Sequence, residues 1–577
     1  SNSTVYFGSQ FVHKSTDKGD TWNVISPDLT TNDPEKQKQS ESGGLTMDAT
    51  GAENHTTILV IEPSPVEKDM LWAGSDDGRV HYTQDGGQTW TEVTANIKGL
   101  PAGSWIPQIR ASQTKKGEAL LVANDYRRYN YTPYAYRTRN YGKTWERIAD
   151  EKDVKSYVLS IIEDPENPNL MFMGTDDGLY FSMDAAATWQ KWTHGFPTVS
   201  TKDLVIHPRE HDLVVGTFGR AAWVLDDIRP LRAMASDPDI LTKDISVFTP
   251  PTAYLAASQQ ASGTRFGADA IFNATNRNRG AMISYFLKEG ASTIKPKMEG
   301  EQKGEETAEN TEEGTEGDQK DKAKSKDSVF VRIYEQDRLI RTLKYKTPDS
   351  AGLHRVYWRL DEAGPDRPSR TLQKRKREPG GVDVRPGTYR VEVSLGEVTD
   401  ETQLVVESDP RLEVSPAAIE ARYTEAKKLD TYLQTSANAV KQLAESKKVA
   451  DTYAKDLKGL DKEKYKAQIK ASKDISTKID SLLATYIGKE DKRQGITRNP
   501  EMTVTRRIYN AYGYVQSRPN GMTSTEQRLI EYAERDLKNA LAETNAFFAN
   551  DWKAYQQEME GLDLSPFKET ETFLLEK

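Results

Sequence analysis

Three pairs of adjacent carboxylates, Asp76–Asp77, Asp176–Asp177 and Asp226–Asp227, are the residues of this chain whose types and spacing could do chemistry. Two carboxyl groups held about 5 to 10 Å apart, one as an acid and the other as a base or nucleophile, cleave glycosidic bonds. The first two pairs each precede a glycine, however, and Asp-Asp-Gly is in its own right a strong hairpin-turn signal. We read both as turn chemistry, because nothing in the sequence turns two of these carboxylates toward one another. His207 and His211 have the i, i+4 spacing that suits zinc on a helix. Their segment HPREH contains Pro208 and lies between strands, so the spacing loses its geometric meaning and a loop is expected. The chain has no cysteine and hence no disulfide or thiolate metal site. No Gly-rich phosphate loop leads from a strand into a helix, and no Ser-His-Asp arrangement can be drawn. No catalytic residue, metal or cofactor is therefore assigned.

A different kind of site is suggested by GSWIPQIRAS and NDYRRYNYTPYAYR, which gather Trp105, Arg110, Tyr126, Arg127, Arg128, Tyr129 and Tyr131 within a short span, with Tyr134 and Tyr136 beyond. Aromatic rings and arginine are enriched in binding hot spots, and aromatic faces also stack on sugars. The competing account is that alternate tyrosines fill interior space while the arginines are solvated.

The elements that must position these residues are repeated ones. STDKGDTW at 15–22, TQDGGQTW at 83–90, TRNYGKTW at 138–145 and SMDAAATW at 182–189 share one order: hydroxyl, any, acidic or Asn, any, Gly, any, Thr, Trp. The fourth copy has Ala186 at the Gly place. Short apolar strands precede each copy: VYFGSQ, LWAGSDDG, LLVANDYRR and MFMGTDDG. LVVGTFGRAAWVLDD at 213–227 is a fifth unit, in which Asp226 and Asp227 replace the octapeptide. A unit of about 40 to 70 residues built from several short strands points to propeller blades rather than a helical solenoid. Asp17, Asp85, Asn140 and Asp184 are expected to accept turn N–H groups, and Trp22, Trp90, Trp145 and Trp189 to bury their rings. With Ala186, either the turn is expected to be distorted or another residue to take the positive φ.

These octapeptides resemble Asp boxes, or BNR repeats, found in sialidases, xyloglucanase-type glycoside hydrolases and sortilin or VPS10 propellers. The ending GTFGRAAWVLDDIRPL resembles the close of large bacterial sortilin-like BNR proteins. The resemblance covers roughly residues 1–235 and implies a propeller scaffold, on which many unrelated functions occur. A sialidase would further require an arginine trio and a Tyr–Glu pair, which cannot be placed here. The resemblance also implies more blades than the five counted. The chain opens at Ser1 on an inner strand, and the ring is expected to be incomplete, closing with an N-terminal portion or with another chain.

After residue 235 the pattern changes twice. Alternating stretches such as VFVRIYEQDRLIRTLKY and GTYRVEVSLGEVTDETQLVVE predict a β-sandwich over 236–412. GLHRVYWRLDEAG with RPGTYRVEV resembles the FlgD-like immunoglobulin module of bacterial proteins. The acidic segment 299–327 has no large apolar residue and reads as a disordered loop, and RTLQKRKREPGG as a basic insert. From Ser415–Pro416 onward, apolar residues recur at three and four residue intervals: Ile419, Tyr423, Ala426, Leu429, Leu433 and Val440, then Ile469, Ile475 and Ile479. A last helix comes next, opened by a capping box at Thr523 and Glu526. Residues 413–577 are thus expected to form an antiparallel four-helix bundle. The fold class is mainly β with an α-helical C-terminal domain.

With 79 basic and 88 acidic residues among 577, the formal charge of −9 argues against a dedicated nucleic-acid binder. No apolar run approaches the roughly 20 residues needed to span a bilayer. Two functions are expected. One is a non-enzymatic binding or scaffold protein of the bacterial envelope, periplasmic or surface-exposed and engaging a protein or glycan. The other is a glycoside hydrolase of extracellular polysaccharide, similar to the xyloglucanases. The first is preferred because no acid–base pair can be assembled.

Overall fold

The computed structural model describes residues 3–38, 55–256, 277–290, 328–372, 377–489, 501–517 and 521–562. The expected acidic loop 299–327 lies outside these residues, as does part of the basic insert. The chain divides into two compact units, Ser1–Lys243 and Asp244–Lys577. The first boundary falls at 243 rather than 235. The helix after the last propeller strand, α1 (Arg229–Ser236), belongs to the first unit, because Arg232 forms a buried ion pair with Asp164 at 2.8 Å.

Among the described residues, the first unit is a succession of five antiparallel sheets. They are β1–β3 (Val5–Gly8, Val12–Ser15, Asn23–Val24), β4–β7 (Ile58–Pro63, Leu71–Ser75, Val80–Thr83, Thr91–Glu92), and β8–β11 (Trp105–Ala111, Ala119–Asp125, Asn130–Thr138, Glu146–Arg147). The last two are β12–β15 (Val158–Glu163, Met171–Thr175, Gly178–Ser182, Gln190–Lys191) and β16–β18 (Thr201–Ile206, Leu213–Thr217, Ala222–Leu225). Each sheet is a blade whose strands pair in sequence order. In the three four-stranded blades the second strand is almost wholly apolar and buried, as a strand covered on both faces must be.

In the second and fourth blades the second strand meets the next blade at a glycine, as does β1, which takes its place in the first blade. A Cβ on Gly8 would meet Ile58 of β4 at 3.0 Å, one on Gly74 would meet Ile106 of β8 at 2.7 Å, and one on Gly174 would meet the Thr201 carbonyl of β16 at 2.5 Å. Gly216, at the same place in the fifth blade, has nothing nearer than 3.7 Å.

The octapeptide turns join the last two strands of each of the first four blades. In the second blade, Asp85 accepts the Thr89 N–H at 2.9 Å and the Thr89 hydroxyl at 2.6 Å, while the Thr83 hydroxyl accepts the Gly87 N–H at 3.0 Å. Asp17 and Asp184 repeat this set, and Asn140 repeats it with its Nδ2 donating to Thr144 at 2.9 Å. The hydrogen bonds from hydroxyl and backbone hold the carboxyls of Asp17 and Asp85 well below the usual carboxylate range. The two residues after the acidic position both have positive φ, as in Tyr141 (57°) and Gly142 (73°). The turn of the fourth copy is neither distorted nor relieved by another residue. Ala185 and Ala186 adopt φ of 58° and 72° themselves, and the Ala186 N–H still reaches Ser182 at 2.9 Å. The closed hydrogen-bond set over-determines a conformation that alanine alone resists.

Three of the four tryptophans reach back to the preceding blade. Trp90 donates Nε1–H to the Ile25 carbonyl at 2.9 Å, Trp189 donates to the Ile148 carbonyl at 2.7 Å, and the Trp145 ring packs edge-on against Trp72 at 5.9 Å. Trp22 is the exception to the expected burial. It remains 43% exposed, with only Phe7 of its own blade as an aromatic neighbour, because among the described residues no blade precedes it.

In the second unit a three-stranded sheet of β19, β21 and β24 (Ile245–Val247, Ala281–Leu287, Gly352–Trp358) shares one apolar core with a five-stranded sheet. The latter contains β20 (Ala253–Leu255), β22 (Ser328–Glu335), β23 (Arg338–Lys346), β27 (Gly387–Leu395) and β28 (Val398–Ser408). A small hairpin of β25 (Asp361–Ala363) and β26 (Gly380–Asp383) stands beside them, and its Val382 joins the helical core. The helices are α2 (Pro416–Asp461), α3 (Lys466–Ile487), α4 (Val504–Gln516) and α5 (Ser524–Phe547), with Leu429, Val440, Ile479, Ile508 and Ala533 in a common core. The capping box at Thr523 and Glu526 is formed. The last helix is interrupted by a π turn at Phe548–Trp552 before α6 (Lys553–Glu560). Sheets and helices form one unit, because the buried Glu362 carboxylate of β25 takes Arg338 of β23 at 2.9 Å together with Tyr423 at 2.6 Å and Lys427 at 3.1 Å of α2. Burial alone would raise this carboxyl, but those donors hold it at about 2.

Candidate functional site

Antiparallel pairing puts the turn between second and third strands at the opposite end of each blade from its Asp box. One face of the propeller is therefore built from the starts of the first strands and the second-to-third-strand turns. In the second and fourth blades these turns are the Asp-Asp-Gly sequences, and their carboxylates are occupied locally. Asp76 accepts the Thr57 N–H at 2.9 Å, and Asp77 accepts the Ser75 hydroxyl and the Thr31 N–H, each at 2.5 Å. Asp177 accepts Lys191 at 2.6 Å and the Tyr180 hydroxyl at 3.2 Å. Asp227 is buried and holds Arg229 at 2.5 Å. Asp76 is 2% exposed, and burial, with the neighbouring Asp77 charge, pushes it up to about 6.

The third blade departs from this plan. Where the second and fourth blades turn through Asp-Asp-Gly, it inserts a single 3-10 turn at Tyr126–Arg128, closed by Tyr129 at a φ of 59°, with an irregular register between Asn130 and Tyr134. Asp125 anchors the insertion by accepting from Arg128 at 2.5 Å and Asn130 at 3.1 Å. Arg127 then lies with its guanidinium 3.3 Å over the Trp105 ring and 4.5 Å from the Tyr126 ring. Tyr126 stacks in turn on Tyr157 at 4.8 Å. Such a stack fixes the guanidinium plane.

Of the seven residues read from the sequence as a binding surface, five come together. Trp105, Arg110, Tyr126 and Arg127 line a cleft of about 500 Å³ with Leu59, Glu62, Lys202 and Asp203 from the first strands of other blades. Trp105, Arg127 and Arg128 also line an adjoining pocket of about 150 Å³ with Lys36, His55 and Asn124. Arg110 is held by Asp203 at 3.2 Å. Tyr129 and Tyr131 line neither. Tyr129 is 85% exposed at the tip, and Tyr131 leans on Tyr157 at 6.0 Å. Tyr134 and Tyr136 are buried within the blade.

Lys36, His55, Asn124, Lys202 and Asp203 were not found from the sequence. Asn124 opens the aromatic segment but carries no signal of its own, whereas the other four belong to different loops or blades and only the blade order makes them neighbours.

His207 and His211 share no metal geometry. His207 Nδ1 accepts backbone N–H groups of its own loop, and His211 lies against Arg232 at 2.8 Å. Among the described residues no group of three His, Asp or Glu could hold a metal ion, and no helix is long and apolar enough to cross a membrane. A groove of about 1000 Å³ in the second unit lies along α2 and α3. Its Lys447 is engaged by Ser476 at 2.6 Å and Asp480 at 2.9 Å.

The family model for sortilin (Sortilin-Vps10; neurotensin receptor 3) matches residues 134–227. No curated protein matches the chain. Similar solved structures include an ancestral GH74 enzyme, at 12% identity over 50% of this chain and 35% of that one with a TM-score of 0.28. The GH74 xyloglucanase from Xanthomonas campestris is 14% identical over 39% of this chain and 35% of that one, with a TM-score of 0.27. YCF48 from Cyanidioschyzon merolae is 17% identical over 29% of this chain and 56% of that one, with a TM-score of 0.21. The chain thus spans about a third of the length of the two GH74 enzymes and just over half of YCF48. Likenesses of this degree say nothing of activity. The strand order, the four closed octapeptide turns and the family match over 134–227 make the first unit a sortilin-like Asp-box β-propeller.

Proposed function

We propose that this chain is a non-enzymatic binding or scaffold protein of the bacterial cell envelope, whose propeller face contacts a protein or glycan partner within a larger assembly. The observation that carries this reading is the third-blade insertion, which sets Arg127 on Trp105 at the mouth of a cleft. A stacked aromatic–arginine pair beside open space is hot-spot architecture. The two-sheet domain is read as Ig-like, of the FlgD kind, serving with the helices as a docking module. The exposed ends of the propeller supply a second contact. Phe7, Trp22 and Val24 on the first blade and Phe218 and Val224 on the fifth are exposed, and further blades, in the same protein or another chain, would cover them as the internal blades cover one another. Purification from native membranes, comparing the natural sequence with Trp105→Ala and Arg127→Ala, tests the reading. A stable partner set that both substitutions deplete supports it, and an identical set in all three contradicts the assigned face.

A second reading, a glycoside hydrolase, is favoured by the raised Asp76 carboxyl, since a general acid needs such a shift. Asp76 lines neither the cleft nor the adjoining pocket, which weighs against that role.

A further inference from the structure

Among the described residues, the fifth blade lacks the strand that follows the Asp box in the other four. There the two residues after the box pair with the strand before it, as Val24 with His13, Thr91 with Tyr82, Glu146 with Arg137 and Gln190 with Phe181. The next residue then donates its N–H to that strand: Ile25 to Val12, Val93 to Val80, Ile148 to Ala135 and Trp192 to Leu179, at 2.8 to 2.9 Å. In the fifth blade the chain turns away instead. The Asp227 N–H goes to the Asp212 carboxylate at 2.9 Å, the Ile228 N–H to the His211 carbonyl at 2.8 Å, and α1 follows. Among the described residues β18 therefore pairs with β17 alone.

The edge left open is a working copy of the ones that are filled. Ala222 opposes Gly216 as Val80 opposes Gly74 and Leu179 opposes Gly174, so it holds the place whose carbonyl accepts an N–H in the other blades. Val224 holds the place of Tyr82 and Phe181, which are half-buried, yet it is 57% exposed. An unpaired strand edge with exposed apolar side chains is a template for pairing with another chain.

The filled edges also show what the added strand must carry. In the second and fourth blades its second residue pairs with a charge on the turn between second and third strands, Glu92 with Arg79 and Lys191 with Asp177 at 2.6 Å. In the fifth blade that turn presents Arg220, which is exposed and has no ion-pair partner among the described residues. The third residue is apolar in all four: Ile25, Val93, Ile148 and Trp192.

We infer that β18 accepts, as a fourth strand, a short extended segment of a partner polypeptide running antiparallel to it. An acidic residue of that segment lies opposite Trp223, within reach of Arg220, and the apolar residue after it gives its N–H to the Ala222 carbonyl. This contact lies on the edge of the fifth blade and does not depend on the cleft.

A labelled peptide of residues 88–97, which contains Thr91, Glu92 and Val93, tests it by fluorescence polarisation with the full chain and by hydrogen exchange over residues 213–227. The peptide should bind and slow exchange at β18. The peptide with Glu92→Lys should bind about 5-fold more weakly, since a like charge then faces Arg220. Arg220→Glu in the full chain should reverse the order of the two peptides without moving the melting temperature. The peptide with Val93→Pro has lost the N–H that reaches Ala222 and should not bind. Absence of binding, protection elsewhere than β18, an unchanged peptide order in Arg220→Glu, or undiminished binding of the Val93→Pro peptide each overturns the inference. The binding reading of the cleft falls separately, by the partner set being unchanged in Trp105→Ala and Arg127→Ala.

Discussion

Gly174→Ala should be among the most damaging single-methyl additions in the propeller, while Gly216→Ala at the equivalent place should be nearly silent. The new Cβ at 174 would lie against Ser160 Oγ and 2.5 Å from the Thr201 carbonyl oxygen, with Thr201 Cγ2 at 2.7 Å. A side-chain hydroxyl can rotate away, but a backbone oxygen on the next blade moves only if β16 moves. Overpacking costs about 1 to 3 kcal/mol when side chains alone adjust, so a displaced strand puts this substitution at about 3 kcal/mol or more. At 216 the nearest atom is 3.7 Å away, an ordinary contact, and the expected change is within about 0.5 kcal/mol. For a unit of this size about 3 kcal/mol corresponds to a fall of roughly 6 to 12 °C in melting temperature. Differential scanning calorimetry should be read on the propeller transition alone, because a chain of two units need not melt as one. Equal shifts for the two variants would refute the argument that blade contact runs through this glycine. A large shift at 216 only in the presence of further blades would place those blades on the fifth blade's open face.

Three other outcomes are expected. Trp189→Phe removes the bond to the buried Ile148 carbonyl and should cost about 1 to 2 kcal/mol by urea unfolding, against about 0.5 kcal/mol or less for the half-exposed Trp22→Phe; equal costs would contradict the backward staple. Asp76, raised to about 6 in the fold from an ordinary value of 3.8, binds more protons folded than unfolded between those values, so its contribution falls as pH rises from about 4 to 6. Asp76→Asn should flatten that slope by no more than about 3 kcal/mol, and an unchanged slope in thermal melts would count against it. Glu362, lowered to about 2, acts in the opposite sense: its contribution is complete above about 4.5 and is lost as pH falls through 2. Glu362→Gln should therefore destabilise the second unit at neutral pH, by about 3 kcal/mol, and much less near pH 2; a pH-independent cost would contradict it.

The parts of this fold legible in the sequence are those whose information is local. An octapeptide turn closes its own hydrogen bonds, so Asp17, Asp85, Asn140 and Asp184 announce themselves within eight residues. The three- and four-residue spacing of Leu429, Leu433 and Val440 likewise needs only one helix. What failed depended on neighbours. Trp22 carries the same motif as Trp189, yet its burial is decided by a preceding blade and not by its own turn. Ala186 looked incompatible with its place because one residue was weighed alone, while the Ser182 and Asp184 bonds on either side hold it there. The site was half visible for the same reason. The Tyr126–Arg128 insertion is contiguous and chemically conspicuous, but Lys36, His55 and Lys202 join it only through blade order, which no short window contains.

The central claim, that this propeller face binds and does not cleave, is tested most directly by incubating the full chain with xyloglucan oligosaccharides and with galacturonate oligomers and following product masses over time. The account predicts that every oligosaccharide is recovered intact, in the natural sequence and in Asp76→Asn alike, whether or not it binds. Shortened products that disappear on Asp76→Asn would contradict it and make this face an active site.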